Sequence, residues 1–214
     1  PDDVVSEFGG DALRLYEMFM GPLEAVKPWQ TAQVAGVVRF RDKVYQLVKN
    51  REMSKKPEEM DNETLRLMHK TIKKVTQDVE TLSFNTSVSA MMIAVNAWSG
   101  LPKIAESTLL DFAVLLEPFA PHSAEAMWAE LGAQGSVVLA PYPILLPEYL
   151  VKDTVLYPVQ FNGKTRFQLE MPASASAAEV ESAVLAHERT AHFLEGRTPK
   201  KIIVVPGRIA NVVG

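Results

Sequence analysis

The side chains best suited to chemistry in this sequence are basic. Arg39, Arg41 and Lys43 are among the polar positions of one amphipathic stretch, and Lys70, Lys73 and Lys74 lie off the apolar stripe of another. Lys164 and Arg166 alternate within a stretch of period two, and Lys200, Lys201 and Arg208 follow near the last residues. Clustered lysine and arginine can hold a polyanion by its phosphates without reading its bases. The plainer reading of the cluster at 70–74 is the solvated face of a bundle helix, and that stretch alone favours it. Other chemistries lack their residues. There is no cysteine, which excludes disulfides, thiolate catalysis and Cys-ligated metals. The four histidines show no ligand spacing, and there is no glycine-rich phosphate loop, nucleophile elbow or metal motif. Asp2–Asp3 and Glu58–Glu59 read as a helix start and a solvated loop rather than catalytic carboxylate pairs.

The elements that would carry these cations follow from hydrophobic period. Leu65, Met68, Ile72, Val75, Val79 and Leu82 form one helical stripe; Phe84, Val88, Met91, Val95 and Trp98 form a second, out of phase with the first. The sequence therefore predicts two helices with a tight break near Thr81–Asn85. Before them, Pro1–Phe8 reads as a short helix with Asp2 and Asp3 at its positive end, broken by Gly9–Gly10. A helix over Asp11–Met20 faces Leu15, Met18 and Phe19 inward and stops at Gly21–Pro22, followed by a linker at Lys27–Trp29. Thr31 opens a helix to about Asn50 with Val34, Val37, Val44 and Leu47 inward. Arg51–Asn62 reads as a mobile connection. A further helix spans about Pro102 to Glu117, burying Leu109, Phe112, Ala113 and Leu116, and a short one spans Ser123–Leu131. Trp29, Trp98 and Trp128 are packing residues on this reading, and His122 is a satisfied histidine at a helix start.

Ala140–Pro147 holds three prolines, and the domain boundary is placed between it and Lys152. Beyond it the period changes to two. Val155, Tyr157, Val159 and Phe161 alternate, as do Thr165, Phe167, Leu169 and Met171, with Asn162–Gly163 between them. A two-residue loop would pair Phe161 with Lys164 and put Tyr157 and Val159 on the Arg166 face. A three-residue loop pairing Gln160 with Lys164 lets the two apolar sets share a face, and burial favours it. Lys164 and Arg166 then project together from the polar face. Pro158 argues that its strand is an edge. Ser176 and Glu179 form a capping-box pattern opening a helix to about Glu195, closed by Gly196. Lys201–Val205 and Arg208–Val213 complete a β-β-α-β-β module. The fold class expected is α+β in two domains, a mainly helical bundle and then this small module.

Formal net charge is −4 over 214 residues, so the total does not announce a nucleic-acid partner. Its distribution does more. Residues 39–80 carry 11 Lys/Arg against 8 Asp/Glu, while residues 81–150 carry 1 against 6. After Glu195 come Arg197, Lys200, Lys201 and Arg208 with no acid among them. No signal peptide or membrane-length apolar run appears, which predicts a cytosolic protein, and Pro1 in place of an initiator Met reads as a fragment.

Several stretches carry a resemblance. Asp11–Trp29 (DALRLYEMFMGPLEAVKPW) resembles the segment after the catalytic lysine loop in bacterial leucyl-tRNA synthetases. His69–Asp78 with Phe84–Thr86, Pro118–Trp128 (PFAPHSAEAMW), Val159–Arg166 (VQFNGKTR) and Lys200–Gly214 (KKIIVVPGRIANVVG) match that family in order. The resemblance implies a stem-contact region at 1–30, a helical anticodon-binding-type domain at 31–150 and a small tRNA-binding domain at 151–214 that reaches the outer corner of the tRNA. It implies leucine tRNA and the remainder of the synthetase chain as partners, no membrane, a monomer, and ATP as a requirement of the full-length enzyme only. The catalytic and editing residues lie outside the sequence, so the fragment alone is expected to be inactive. All eleven cations then become candidates for the tRNA backbone, with Lys164, Arg166, Lys200, Lys201 and Arg208 the better ones. Two alternatives stand beside this reading: a free-standing helical interaction module, and the same region of a valine, isoleucine or methionine enzyme, against which the last 60 residues argue.

Overall fold

The computed structural model describes residues 1–49, 52–56, 59–151, 154–194 and 198–213. They form two compact units, Pro1–Leu150 and Val151–Gly214. The first is helical: α1 (Asp2–Phe8), α2 (Gly10–Phe19), α3 (Thr31–Lys49), α4 (Asn62–Glu80), α5 (Phe84–Trp98), α6 (Glu106–Leu116) and α7 (Pro121–Glu130). Its core is built by the predicted faces. Val34, Val37, Val44 and Leu47 of α3, and Leu109, Phe112, Ala113 and Leu116 of α6, are all buried. Trp98 is also buried and meets Phe112 edge to face, with ring centroids 5.4 Å apart. Trp128 is half-buried against the same core, but Trp29 is 41% exposed, leaning on Tyr16 and donating from Nε1 to Thr31 Oγ1 at 2.9 Å.

The break between α4 and α5 falls where the two stripes lose phase, and it is polar. Asp78 takes the buried place that the apolar stripe predicts for Val79 and Leu82, which are 40% and 55% exposed. Its carboxylate accepts from Lys74 Nζ at 2.5 Å and from Thr86 Oγ1 at 2.6 Å. Asp78 thereby ties the end of α4 to the first turn of α5, whose own N-cap Ser83 does not cap it, its hydroxyl meeting Thr81 Oγ1 instead. Phe19, expected inward, is likewise exposed, and Tyr16, Ala12 and Asp11 are buried on that helix instead.

Two expectations in this unit are corrected by a strand pair. β1 (Glu52–Ser54) lies within the stretch read as a mobile connection, and it pairs in parallel with β2 (Lys103–Ala105). β2 takes the residues assigned to the start of a helix at Pro102, so α6 begins only at Glu106. Asn50, Arg51, Pro57 and Glu58 lie outside the described residues. α7 starts earlier than expected because Pro121 fits its first turn. The proline-rich stretch also behaves differently from a linker. Pro143 is buried, and Tyr149 stacks flat on His69 of α4 at 4.7 Å, so the segment straps this unit.

The second unit runs β3 (Thr154–Phe161), β4 (Lys164–Pro172), α8 (Ala177–Ala186), α9 (Glu188–Leu194), β5 (Lys201–Val205) and β6 (Ile209–Val213). The sheet order is β4-β3-β6-β5, with β3 and β6 parallel. β3 is therefore interior, contrary to the edge inferred from Pro158. The proline is tolerated because β6 pairs only with Val159–Phe161, beyond it. The capping box of Ser176 and Glu179 is present. The predicted single helix is instead interrupted at His187, whose extended backbone lays its ring on Phe167 at 4.4 Å. Glu195, Gly196 and Arg197, and with them the expected helix stop, lie outside the described residues.

The hairpin reaches the expected face by a different register. Phe161 pairs with Lys164 across a two-residue turn, with Asn162 at φ 49° and Gly163 at φ 81°. A bulge then lets Val159 pair with Phe167 although Gln160 pairs with Thr165, making Arg166 the extra residue. Val155, Tyr157 and Val159 thus share a face with Phe167, Leu169 and Met171. A Cβ at Gly163 would meet no atom within 4 Å, so the cost of substitution is purely torsional. Gly163→Ala is expected to lower the stability of this unit by about 1 kcal/mol, read by chemical denaturation.

Candidate nucleic-acid interface

The first unit spends several of its candidate cations internally. Arg41 is half-buried and donates to the Phe8 carbonyl at 2.6 Å, fixing the break between α1 and α2, and it also meets Asp42 at 3.1 Å. Lys43 donates to Asn96 Oδ1 at 2.6 Å. Lys74 is neutralised by buried Asp78. Arg39, Lys70 and Lys73 are exposed and make no ion pair among the described residues. Lys70 and Lys73 are three residues apart and share one side of α4, while Arg39 stands on α3.

In the second unit four of the five candidate cations form a rim. Lys164, Arg166, Lys200, Lys201 and Arg208 are all exposed. Lys201 pairs with Val213 and Lys164 with Phe161, and Val212 pairs with Phe161 through the parallel ladder. That register puts Lys164, Arg166, Lys200 and Lys201 at the same end of the sheet. They are not on one face. Lys164 stands opposite Phe161 on the side that α8 and α9 cover, whereas Lys201 alternates with partly buried Ile202 and points to the open side. Arg166 lies on the same covered side as Lys164, with its guanidinium over the Phe193 ring, 5.2 Å from its centroid. Arg208 is left out of the group. It follows the turn at Pro206–Gly207 and precedes β6, so it lies about 16 Å along the strand from the basic end. The sequence reading missed Arg189, which lines a shallow hollow with His192 and Phe193 beside Arg166.

Two carboxylates were also missed. Asp11 of α2 accepts from the Ser123 amide and hydroxyl at 2.6 Å each and from His122 Nδ1 at 2.9 Å, so His122 is satisfied as expected. Burial alone would raise the Asp11 carboxyl, but these bonds outweigh it and leave it below its ordinary value. The readable signal was Ala120, which holds the N-cap place of α7 and has no side chain to cap with. Asp111 of α6 is pushed up to about 6 by desolvation alone. No sequence pattern marks it; it lines a cavity shared with α4 and the proline-rich strap.

The first unit is thus mainly helical with uncovered cations on α3 and α4, and the second is a small mixed sheet with a basic end. The sequence pattern described as the anticodon-binding domain of tRNA ligase matches residues 61–182, more than half of the chain. The chain belongs to that family. Within it, the chain is similar along its full length to bacterial leucine–tRNA ligases. It is 49% identical over 214 residues to the enzyme of Porphyromonas gingivalis and 48% identical over 215 residues to that of Christiangramia forsetii. It spans 23% and 22% of the length of those proteins. A solved ternary complex of Agrobacterium radiobacter K84 agnB2 LeuRS with tRNA and LeuAMS superposes with a TM-score of 0.75 at 28% identity. That match covers 100% of this chain and 30% of the solved one.

Proposed function

We propose that this chain is the tRNA-holding part of a leucine–tRNA ligase and does no chemistry by itself. The likeness to leucine–tRNA ligases over every residue carries the reading, and it favours leucine over the valine, isoleucine and methionine enzymes. Residues 31–150 serve as the anticodon-binding-type domain, residues 1–30 as the stem-contact and connecting helices, and residues 151–214 as the part that meets the tRNA corner. Arg39, Lys70 and Lys73 on one unit, and the basic end of the other, bear on phosphates. Each contact releases counterions, which gives affinity without base readout. Arg41, Lys43 and Lys74 act mainly as structural ties on this reading. ATP, leucine and the editing reaction belong to the rest of a monomeric, cytoplasmic enzyme.

Titrating the chain with a leucine tRNA and a noncognate tRNA at two salt concentrations tests this. Both are expected to bind more weakly as salt rises, with the leucine tRNA retained better. No leucyl-adenylate is expected from the chain, ATP and leucine. Absence of tRNA binding at low salt would favour a plain helical interaction module.

A further inference from the structure

A cavity of about 380 Å³ lies in the first unit, between α4, α6 and the proline-rich strap. Its wall is mainly apolar, with Met68 and Ile144 among its members, and carries a few polar groups. Thr108 and Asp111 come from α6, His69 from α4, and Tyr142, Leu146 and Tyr149 from the strap. The Asp111 carboxyl has no hydrogen-bond partner among the described residues, and desolvation is the one influence on its acidity. His69 is used differently. Its Nδ1 accepts from the Leu146 amide at 3.3 Å, and burial holds its acidity in the neutral direction against a weaker pull from Glu148. The histidine therefore does not supply the charge that Asp111 lacks. Tyr142 is 49% exposed and fixed by a 3.0 Å bond between its hydroxyl and Thr76. α6 adds an uncapped first turn, since Ala105 at its N-cap offers no side-chain oxygen. Lys73 lies one helical turn from both His69 and Thr76 on α4 and is exposed.

We propose that this cavity receives one unpaired nucleobase, guanine best, with Asp111 accepting from its Watson–Crick edge and Lys73 meeting the adjoining phosphate. The inference rests on the tRNA-holding role above for the source of the base. The chemistry is that of a planar ligand with parallel donors. A carboxylate offers two acceptor oxygens side by side, and the guanine edge offers two N–H donors at matching spacing, whereas uracil offers one. The Thr108 hydroxyl and the first-turn amides of α6 are donors for a base carbonyl. Aromatic side chains at the mouth supply the stacking on which unpaired RNA bases are held. The volume is at the small end of ligand pockets, enough for a base but not for paired RNA.

The test uses the 214-residue chain and its Asp111→Asn variant, which keeps the shape and removes one acceptor. Guanosine and uridine 5′-monophosphates are titrated separately while the backbone amides of Thr108, Leu146 and Tyr149 are followed by NMR. Guanosine monophosphate is expected to shift these amides saturably, uridine monophosphate at least about 10-fold more weakly, and the variant is expected to lose about 10-fold toward the guanine ligand. Leucine tRNA is then titrated with both proteins across salt. The variant is expected to bind several-fold more weakly with an unchanged salt slope, because a base contact rather than a phosphate contact is lost. Equal guanosine and uridine responses, or none at these amides, overturn the site even where tRNA binds normally. A guanosine response without any tRNA binding leaves the site standing and removes the tRNA-holding role instead.

Discussion

Combining Lys164→Ala, Arg166→Ala, Lys200→Ala and Lys201→Ala is expected to weaken tRNA binding at least about 100-fold at about 50 mM salt and to flatten the salt dependence by roughly three units of slope. Nearly one unit is lost per phosphate contact, and these four residues stand at one end of the β4-β3-β6-β5 sheet. Because they occupy both faces, a polyanion must meet the end of the sheet, not its flat side. Arg208→Ala is the comparison that separates the two geometries. A ligand across the end leaves Arg208 about 16 Å away and its removal silent, whereas a ligand lying along a face would count it as a further unit. Folding should survive, since all four side chains are exposed. The largest structural loss is the contact of Arg166 with Phe193, about 0.5–1 kcal/mol at an exposed site. Filter binding at four salt concentrations with circular dichroism of each variant provides the check. An unchanged slope in the quadruple variant would remove the basic end from the interface.

What the sequence made legible is what local periodicity encodes. The two stripes of α4 and α5 lose phase at Thr81–Asn85, and the helices part there because no single rod can bury both. Period two and the Ser176–Glu179 box place the second unit's elements for the same reason. Features decided by distant residues stayed hidden. β1 and β2 are three residues each and stabilise one another across about 50 positions, so neither has a pattern of its own. The hairpin shows a subtler failure. Burial did select the shared apolar face, but a tight turn at Asn162–Gly163 and an extra residue at Arg166 satisfy that demand as well as a longer loop does. The cost of the misreading fell on function, since the two-residue turn puts Lys164 and Arg166 on the side that the helices cover, away from Lys201. Among the cations, composition could mark Lys74 and Arg41 as basic but could not reveal that Asp78 and the Phe8 carbonyl already hold them.

Asp11→Ala is expected to be the most destabilising single change of polar type, at about 2–4 kcal/mol, with the melting temperature of the first unit lowered by roughly 5–10 °C. Asp11 is 4% exposed and reaches from α2 to the N-terminus of α7, 111 and 112 residues further along the chain. Without it, the amides of His122 and Ser123 and the Ser123 hydroxyl lose their acceptor at a helix whose own N-cap is alanine. His122→Ala should cost far less, about 0.5 kcal/mol, because the His122 side chain is 84% exposed and leaves the two amide bonds in place. Asp11→Asn retains one acceptor oxygen and should fall between them. The pH dependence has a definite sign. The folded carboxyl is held below its ordinary value of 3.8, so its contribution is complete above that pH and is lost as pH falls through the lower folded value. Between pH 7 and pH 5 the wild-type and Asp11→Ala melting curves should therefore stay a constant distance apart, and they should converge only below about pH 4. Curves that already converge by pH 6 would mean that Asp11 is not the anion that caps α7.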